Sequence, residues 1–392
     1  MGRRLGTAAI AVALMLGAGC VSGAIEEGRG TSTGAGSTTS SAGTTSTSTT
    51  TSTSTTTSTG SGTSSSTTSG SSGLPYMVGY KLGLFTDGAS KVESWLGRPL
   101  DVVGVTINTN AWYASGPFQT LDGGYPLLEA SFPLLSIYGE GNGLDDMAQA
   151  ASGAYDATYT KMAKALAAGP NPLLSVRIGW EFNGNWYPWS NDAGTNATYA
   201  NYVATFQRAA AIVKQENPHA LIQWCVAWGQ PDPMPYWPGV YDAGNNPGGI
   251  DVISMDFYEA DVSEYNNHGA QSTWAMLDSD ATINLSWLVT TAQTYGVKIA
   301  LSEYGPGAPS SKGFGSGPGL NDGVWTTAAI DWINGLPPGL FLWTDWADDE
   351  PADDLSTATA NPAEAAAWLK AWGGNTYFAG DWWPGAAPPT AR

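Results

Sequence analysis

From Tyr76 onward the chain alternates short, β-rich apolar runs with longer stretches in which apolar residues recur at helical spacing. Eight runs have strand character: YMVGYKLGLF, DVVGVTIN, PLLSIY (Pro133 to Tyr138), PLLSVRIGWE, ALIQWCV, DVISMDFY, VKIALSEYG and GLFLWTDW. Between them, helical patterns cover Asp156 to Ala168, Asn196 to Glu216, Ala281 to Tyr295, Asp322 to Asn334 and Pro362 to Trp372. In the second of these, Tyr199, Tyr202, Val203, Phe206, Ala210 and Val213 share one face, and Asn196 is the expected N-cap. Eight strands alternating with helices predict an α/β fold, a (β/α)8 TIM barrel forming a single domain. No strand is followed by a phosphate-binding glycine fingerprint, which sets the barrel ahead of a doubly wound open sheet.

Alternate residues of a barrel strand point into the barrel or toward the helices. In the fourth run Leu174, Val176 and Ile178 share one parity, while Ser175, Arg177, Gly179 and Glu181 share the other, so the polar set is expected inside. The sixth run repeats this, with Ile253, Met255 and Phe257 against the helices and Ser254, Asp256 and Tyr258 facing inward. Interior charges are costly unless paired or solvated, which places them best near the open mouth. Reading off the C-terminal strand ends, where barrel sites lie, gives Glu181, Asp256, Tyr258, Glu303, Trp343 and Asp345.

The N-terminal part does not read as fold. Residues 1–20 combine a basic start (Arg3, Arg4), an apolar stretch from Ala8 to Leu16 and small residues before Cys20. This is the pattern of an export signal, too short for a membrane span. Cys20 stands where lipoprotein signals are cleaved and acylated, so a lipid anchor at Cys20 is expected, with ordinary signal-peptidase cleavage as the alternative. Thr31 to Gly73 is almost wholly Ser, Thr and Gly; with nothing to bury it cannot offset the entropy of folding. The expected organisation is a signal over 1–20, a Ser/Thr/Gly-rich linker over 21–74 and the barrel over 75–392. The protein is accordingly expected outside the cell or anchored at its surface, as a monomer.

Composition narrows the chemistry. A net charge of −19 argues against nucleic acid as a partner. His219 and His268 are the only histidines, and Cys20 and Cys225 the only cysteines. A Ser-His-Asp triad, a histidine-rich metal site and a disulfide framework are all disfavoured, so no metal or other cofactor is expected and the reaction is sought among carboxylates. The acidic stretch DDEPADD, Asp348 to Asp354, matches no calcium motif well and reads as a solvated loop. Tryptophan, by contrast, is abundant at 18 residues. Sugar rings stack their C–H faces on aromatics, and Trp186, Tyr187 and Trp189 follow the fourth strand in a loop suited to that. Each of these three reads equally as loop packing; Trp112, Tyr113, Trp228, Tyr236, Trp237 and Trp346, near other strand ends, strengthen the collective case for carbohydrate.

Two carboxyl groups facing each other across a cleft suit glycoside hydrolysis: one protonates the leaving oxygen while the other attacks the sugar or activates water. Glu181 and Glu303 stand three βα units apart, across the mouth from one another. Glu181 as a structural partner of Arg177, and Asp256 as an interior salt bridge to the same arginine, are the competing readings.

These residues also carry a resemblance. RIGWEFNGNWYPW resembles the acid/base motif of glycoside hydrolase family 26, within the retaining clan A, and LSEYG is similar to that family's nucleophile strand; DVISMDFY and FLWTDW resemble its sixth and eighth strands. The resemblance implies Glu181 as general acid/base, Glu303 as nucleophile, Tyr258 hydrogen-bonded to the nucleophile, Asp256 shaping the site and Trp343 as a platform beneath the reactive sugar. Arg177, Trp180, Asn183, Trp186 and Trp189 complete the expected substrate-binding set. The family usually has His directly before the acid/base glutamate, and other clan A families have Asn; this chain has Trp180, which loosens the choice of mannan. The expectation is a retaining, endo-acting hydrolase of a polysaccharide, β-1,4-mannan first. β-1,4- or β-1,3/1,4-glucan and xylan are the alternative substrates, and a non-catalytic polysaccharide-binding barrel is the reading from another class.

Overall fold

Eight parallel strands pair in chain order and close into a barrel. They are β1 Met77–Leu82, β2 Val102–Thr106, β3 Leu127–Phe132, β4 Leu173–Ile178, β5 Leu221–Ala227, β6 Val252–Tyr258, β7 Lys298–Gly305 and β8 Phe341–Asp348. A computed structural model describes residues 74–82, 88–107, 125–136, 146–191, 194–259, 274–305, 323–348, 355–357 and 362–374, all within a unit that begins at Ser71. The export signal, Cys20, the linker, Trp112, Tyr113, His268 and the acidic stretch after Asp348 lie outside the described residues.

The helices are α1 Gly88–Leu96, α2 Met147–Ser152, α3 Asp156–Ala167, α4 Tyr199–Glu216, α5 Met276–Ser279, α6 Leu285–Tyr295, α7 Val324–Gly335 and α8 Pro362–Trp372. The N-cap of α4 is Thr198 and not Asn196: the Thr198 hydroxyl accepts from the Asn201 amide, whereas Asn196 sits at φ 59 and belongs to the turn before it. Asn284 caps α6 in the same way through the Trp287 amide. Along α4 the buried face holds Tyr202, Phe206, Ala210 and Val213 as the spacing predicts, but Tyr199 is exposed and packs edge-on against Tyr236. The segment between β5 and β6 carries only a 3₁₀ turn, Met234–Tyr236.

The third strand is displaced from the expected one. The sequence holds two similar runs, PLLEASF and PLLSIY, and the barrel uses the first: Leu127–Ser131 pair with β2 and Leu127–Phe132 with β4. Leu134 and Leu135, from the second run, are buried in the outer core, and the Leu134 carbonyl accepts from the Tyr159 hydroxyl. Both runs are apolar, so composition does not separate them. Strand pairing selects the one whose alternation, Leu127, Glu129, Ser131, places a polar stripe inside.

The barrel interior is layered. Its floor is an apolar cluster of Met77, Val102, Leu127, Leu173, Leu221, Val252, Ala300, Leu342 and Trp343, separate from the large core between strands and helices. Above that floor the side chains turn polar. Ser175, Gln223, Ser254 and Ser302 are joined through the Gln223 amide, which accepts from Ser175 at 3.0 Å and donates to Ser254 at 2.6 Å and to Ser302.

Two register shifts decide which side chains enter. Met255 of β6 pairs with Leu301 but Asp256 pairs with Glu303, so Ser302 is an extra residue on β7. With Ala300 inward, strict alternation sends Ser302 in and Glu303 out; the bulge instead turns Ser302 and Glu303 both inward and sends Tyr304 out to Trp368. On β8, Ile299 pairs with Phe341 and Ala300 with Trp343, which makes Leu342 the extra residue. Trp343 and Asp345 consequently face the interior while Phe341 and Trp346 join the outer core.

Asp345 fits because β1 and β2 present glycine to it. A Cβ on Gly79 would stand 1.9 Å from Asp345 Oδ1 and 2.5 Å from Val102 Cβ, and one on Gly104 would stand 3.1 Å from Asp345 Oδ2. Replacing Gly79 by Ala is expected to lower stability by about 1–3 kcal/mol through overpacking. Urea denaturation read by tryptophan fluorescence tests this, and an unchanged midpoint would contradict the close approach.

Candidate active site

Arg177 of β4 is the centre of the polar interior and is completely buried. Its Nη1 donates to Asp256 Oδ2 at 2.6 Å and lies 3.7 Å from Cys225 Sγ. Its Nη2 donates to Glu303 Oε1, and its Nε donates to the Ser131 hydroxyl at 3.0 Å, with Glu129 Oε1 at 3.9 Å. The guanidinium also sits 5.3 Å from the centre of the Trp180 ring. A buried cation is tolerated when carboxylates and hydrogen bonds replace its water, and here three strands supply them.

Glu303 is held by three donors. Lys81 from β1 and Arg177 both donate to Oε1, and the Tyr258 hydroxyl donates to Oε2 at 2.7 Å. Burial alone would raise its pKa; Arg177 and Lys81, helped by Tyr258, outweigh burial and hold it at about 2. Glu303 is therefore ionised at every ordinary pH.

Glu181 reaches the same place from a turn. The chain leaves β4 at Gly179, whose φ of 49 and contact with Leu134, 2.6 Å from a would-be Cβ, leave no room for a side chain. Glu181 itself has φ 50, an uncommon value for a residue with a side chain and one found where function constrains the backbone. Its amide donates to the Cys225 carbonyl at 3.1 Å, which fixes the turn against β5. Trp186 Nε1 donates to Glu181 Oε2 at 2.8 Å, its ring lying over Gly184, where a Cβ would come within 2.4 Å of it. Burial pushes the Glu181 pKa up, the negative charge of Glu303 adds to the rise, and the result is about 8 despite Trp186, Arg177 and Lys81. Glu181 keeps its proton at neutral pH beside an ionised Glu303.

Beside Glu303 in the register of β6 and β7, Asp256 is pushed up by burial and by Glu303 and Glu181, with Arg177 and Lys81 pulling the other way. Glu129 and Asp345 form a carboxyl pair below Arg177. Burial raises both, and Glu129 raises Asp345 further. Glu129 Oε2 accepts from Trp343 Nε1.

The expected residues therefore fall into two groups. Glu181, Glu303, Arg177, Asp256, Tyr258 and Trp186 come together in one network. Trp343 takes another place: it is fully buried in the barrel floor, level with Met77 at the start of β1, and has no face to offer a sugar. Asn183 is not free to bind substrate either, because its amide closes a pair of hydrogen bonds with the Ala227 backbone, at 3.0 and 2.9 Å. Trp189 is fully buried, stacked 4.7 Å from Tyr187, and donates to the Trp180 carbonyl at 2.7 Å. Trp180 is buried at 2% exposure between Tyr187, Trp189 and Arg177. Of the loop aromatics, Trp186 and Tyr187 keep partial exposure. Trp228, Tyr236 and Trp346 are core residues, and Trp237 packs on Trp224 and Tyr295.

Sequence reasoning missed Lys81, Glu129 and Gln223. Lys81 could have been found, since a lysine inside the apolar run YMVGYKLGLF shares parity with Met77 and Gly79. Glu129 was hidden by the misplaced third strand, and Gln223 had only the parity of β5 to mark it.

Two solved structures give the fold an independent comparison. The chain is similar to the YdhT protein from Bacillus subtilis and to the Bacillus subtilis mannanase BCman, each with a TM-score of 0.51, 14% identity, and coverage of 82% of this chain and 92% of that chain. At that identity the likeness establishes a shared (β/α)8 barrel. No protein-family model and no curated protein matches the sequence.

The Glu181 shift has a stability consequence. Its folded pKa of about 8 lies above the ordinary glutamate value of about 4.3, so the folded state holds the proton more tightly than the unfolded chain. That contribution is fully present below about pH 4 and is lost as pH rises through 8. Glu181→Gln is expected to gain melting temperature relative to the parent between pH 5 and pH 9. A difference independent of pH would contradict the raised value.

Proposed function

We propose that this protein is a glycoside hydrolase in which Glu181 is the general acid/base and Glu303 the nucleophile. The observation that carries the reading is the separation of proton affinities in one network: Glu181 holds a proton up to about 8, and Glu303 is ionised above about 2. Two carboxyls whose surroundings push them in opposite directions supply the acid and the nucleophile that acetal cleavage requires, at the same pH.

In the first half of the reaction, Glu303 attacks the anomeric carbon as Glu181 gives its proton to the departing oxygen. In the second half, Glu181, now a carboxylate, takes a proton from water as that water displaces Glu303. Arg177, Lys81 and Tyr258 keep Glu303 charged and aimed, while Trp186 holds Glu181 by one oxygen.

The finer reading is a retaining, endo-acting enzyme on β-1,4-mannan. It is supported by the family 26 resemblance of RIGWEFNGNWYPW and LSEYG and by the barrel shared with a protein named as a mannanase. Trp180, buried where that family carries a polar side chain, keeps β-glucan and xylan as the competing substrates. Export and attachment at Cys20 belong to the same proposal, since a polymer too large to enter a cell is hydrolysed outside it.

Reducing-sugar release should be measured on mannan, glucan and xylan. Mannan is expected to be cleaved fastest, and Glu303→Gln is expected to lower kcat by about 10³-fold or more. Full activity in that variant would remove Glu303 from the mechanism, and no release from any glycan by the parent would favour a carbohydrate-binding role. The parent kcat/KM should be flat from about pH 3 to 7 and fall as pH passes 8, where Glu181 loses its proton. Proton NMR of the first product is expected to show the β anomer, and the α anomer would rule out retention.

A further inference from the structure

Lys81 lies in the first strand, far in sequence from both glutamates, yet its ammonium reaches Glu303 Oε1 at only 5% exposure. A lysine is seldom buried so deeply unless it is paired. The strand neighbours give its stem room: Lys81 pairs with Gly104 on one side and Ala347 on the other, and a Cβ on Gly104 would stand 3.0 Å from Lys81 Cβ. Arg177 approaches the same oxygen from β4. The two oxygens of Glu303 are thus unlike, since Oε1 receives two cations and Oε2 receives one neutral hydroxyl, that of Tyr258.

We propose that Lys81 is a positioning residue of the reaction: with Arg177 it occupies Oε1 of Glu303, keeps the carboxyl ionised, and leaves Oε2 as the attacking atom. This rests on the hydrolase reading above. A lone pair of Oε2 forms the bond to the anomeric carbon, the bond from that carbon to the leaving oxygen breaks, and the Glu181 proton passes to that oxygen. In the ester so formed, Oε1 is the carbonyl oxygen and still faces both cations. Water then adds to the anomeric carbon, its proton goes to Glu181, and the electron pair of the breaking bond returns to Oε2. Lys81 stabilises the carboxylate that reappears.

Other charges bear on this lysine and its partner. Arg177 and the end of the β4 turn contribute a cation and Glu181, β6 contributes Asp256 and Tyr258, β8 contributes Asp345, and β3 contributes Glu129. Removing Lys81 leaves Arg177 as the one cation on this network among the described residues, so the carboxyls compete for a single positive charge.

The test is the pH profile of Lys81→Met beside Lys81→Arg. In Lys81→Met the acidic limb of kcat/KM is expected to move up by about 1–3 pH units, into the range where the parent is flat, with kcat reduced and KM little changed. Lys81→Arg, which restores a cation, should return the limb toward the parent. An ion pair that serves folding alone would lower the melting temperature of Lys81→Met and leave the limb where it was, and that result overturns the proposal. Carbon-13 NMR titration of the Glu303 carboxyl, in parent and Lys81→Met, reads the same quantity without substrate. A rise of about 1–3 units shows that Lys81 sets the ionisation of Glu303 whether or not a glycan is cleaved, which separates a failure of the hydrolase reading from a failure of this one, and an unchanged titration overturns the proposal.

Discussion

The polar interior of this barrel depends on one buried guanidinium. Arg177 is fully buried, and its charge is matched by Asp256 and Glu303, with Glu129 close by. Among the described residues, the same interior holds Glu129, Glu181, Asp256, Glu303 and Asp345 against two facing cations, Lys81 and Arg177. That imbalance has a direct chemical result. The carboxyl that both cations touch becomes a strong acid, and those left with burial and like charges hold their protons. The opposite proton affinities of Glu303 and Glu181 are thus a consequence of how two positive charges are distributed.

Placement of those groups costs regularity in the sheet. Glu303 faces inward only because β7 carries one extra residue, and Trp343 and Asp345 face inward only because β8 carries another. Glu181 is held by a left-handed turn that begins with a glycine no other residue could replace without collision. The β7 bulge and the β4 turn stand at or just before Glu303 and Glu181, where the surrounding packing can hold strained geometry in place.

Among the described residues, the aromatic side chains serve mostly the fold. Trp189, Trp343, Trp346, Trp368 and Trp372 are fully buried, several of them in edge-to-face contacts. Trp186 and Tyr258 instead touch the two glutamates, through hydrogen bonds to Glu181 and Glu303. Trp180 packs on Tyr187 and Trp189 and covers Arg177 with its ring, so the indole at that position supports the buried cation.

The sequence by itself determined the architecture and much of the site: alternating strand and helix patterns specify a closed parallel barrel, and the parity of SVRIGWE and SMDFY puts Arg177, Asp256 and Tyr258 inside. Local alternation is a backbone property, so it is legible along the chain wherever a strand is regular. Tertiary structure alone decided the rest. Two nearly equivalent apolar runs competed for β3, and only pairing with β2 and β4 chose between them, which brought Glu129 into the barrel. Trp343 matched an expected sugar platform, but the β8 register placed it in the floor, and Asn183 was claimed by the Ala227 backbone. Register shifts and side-chain capture depend on residues more than forty positions away, and Lys81 meets Glu303 across 222 positions of chain. No local pattern records such a meeting, because closure of the barrel creates it.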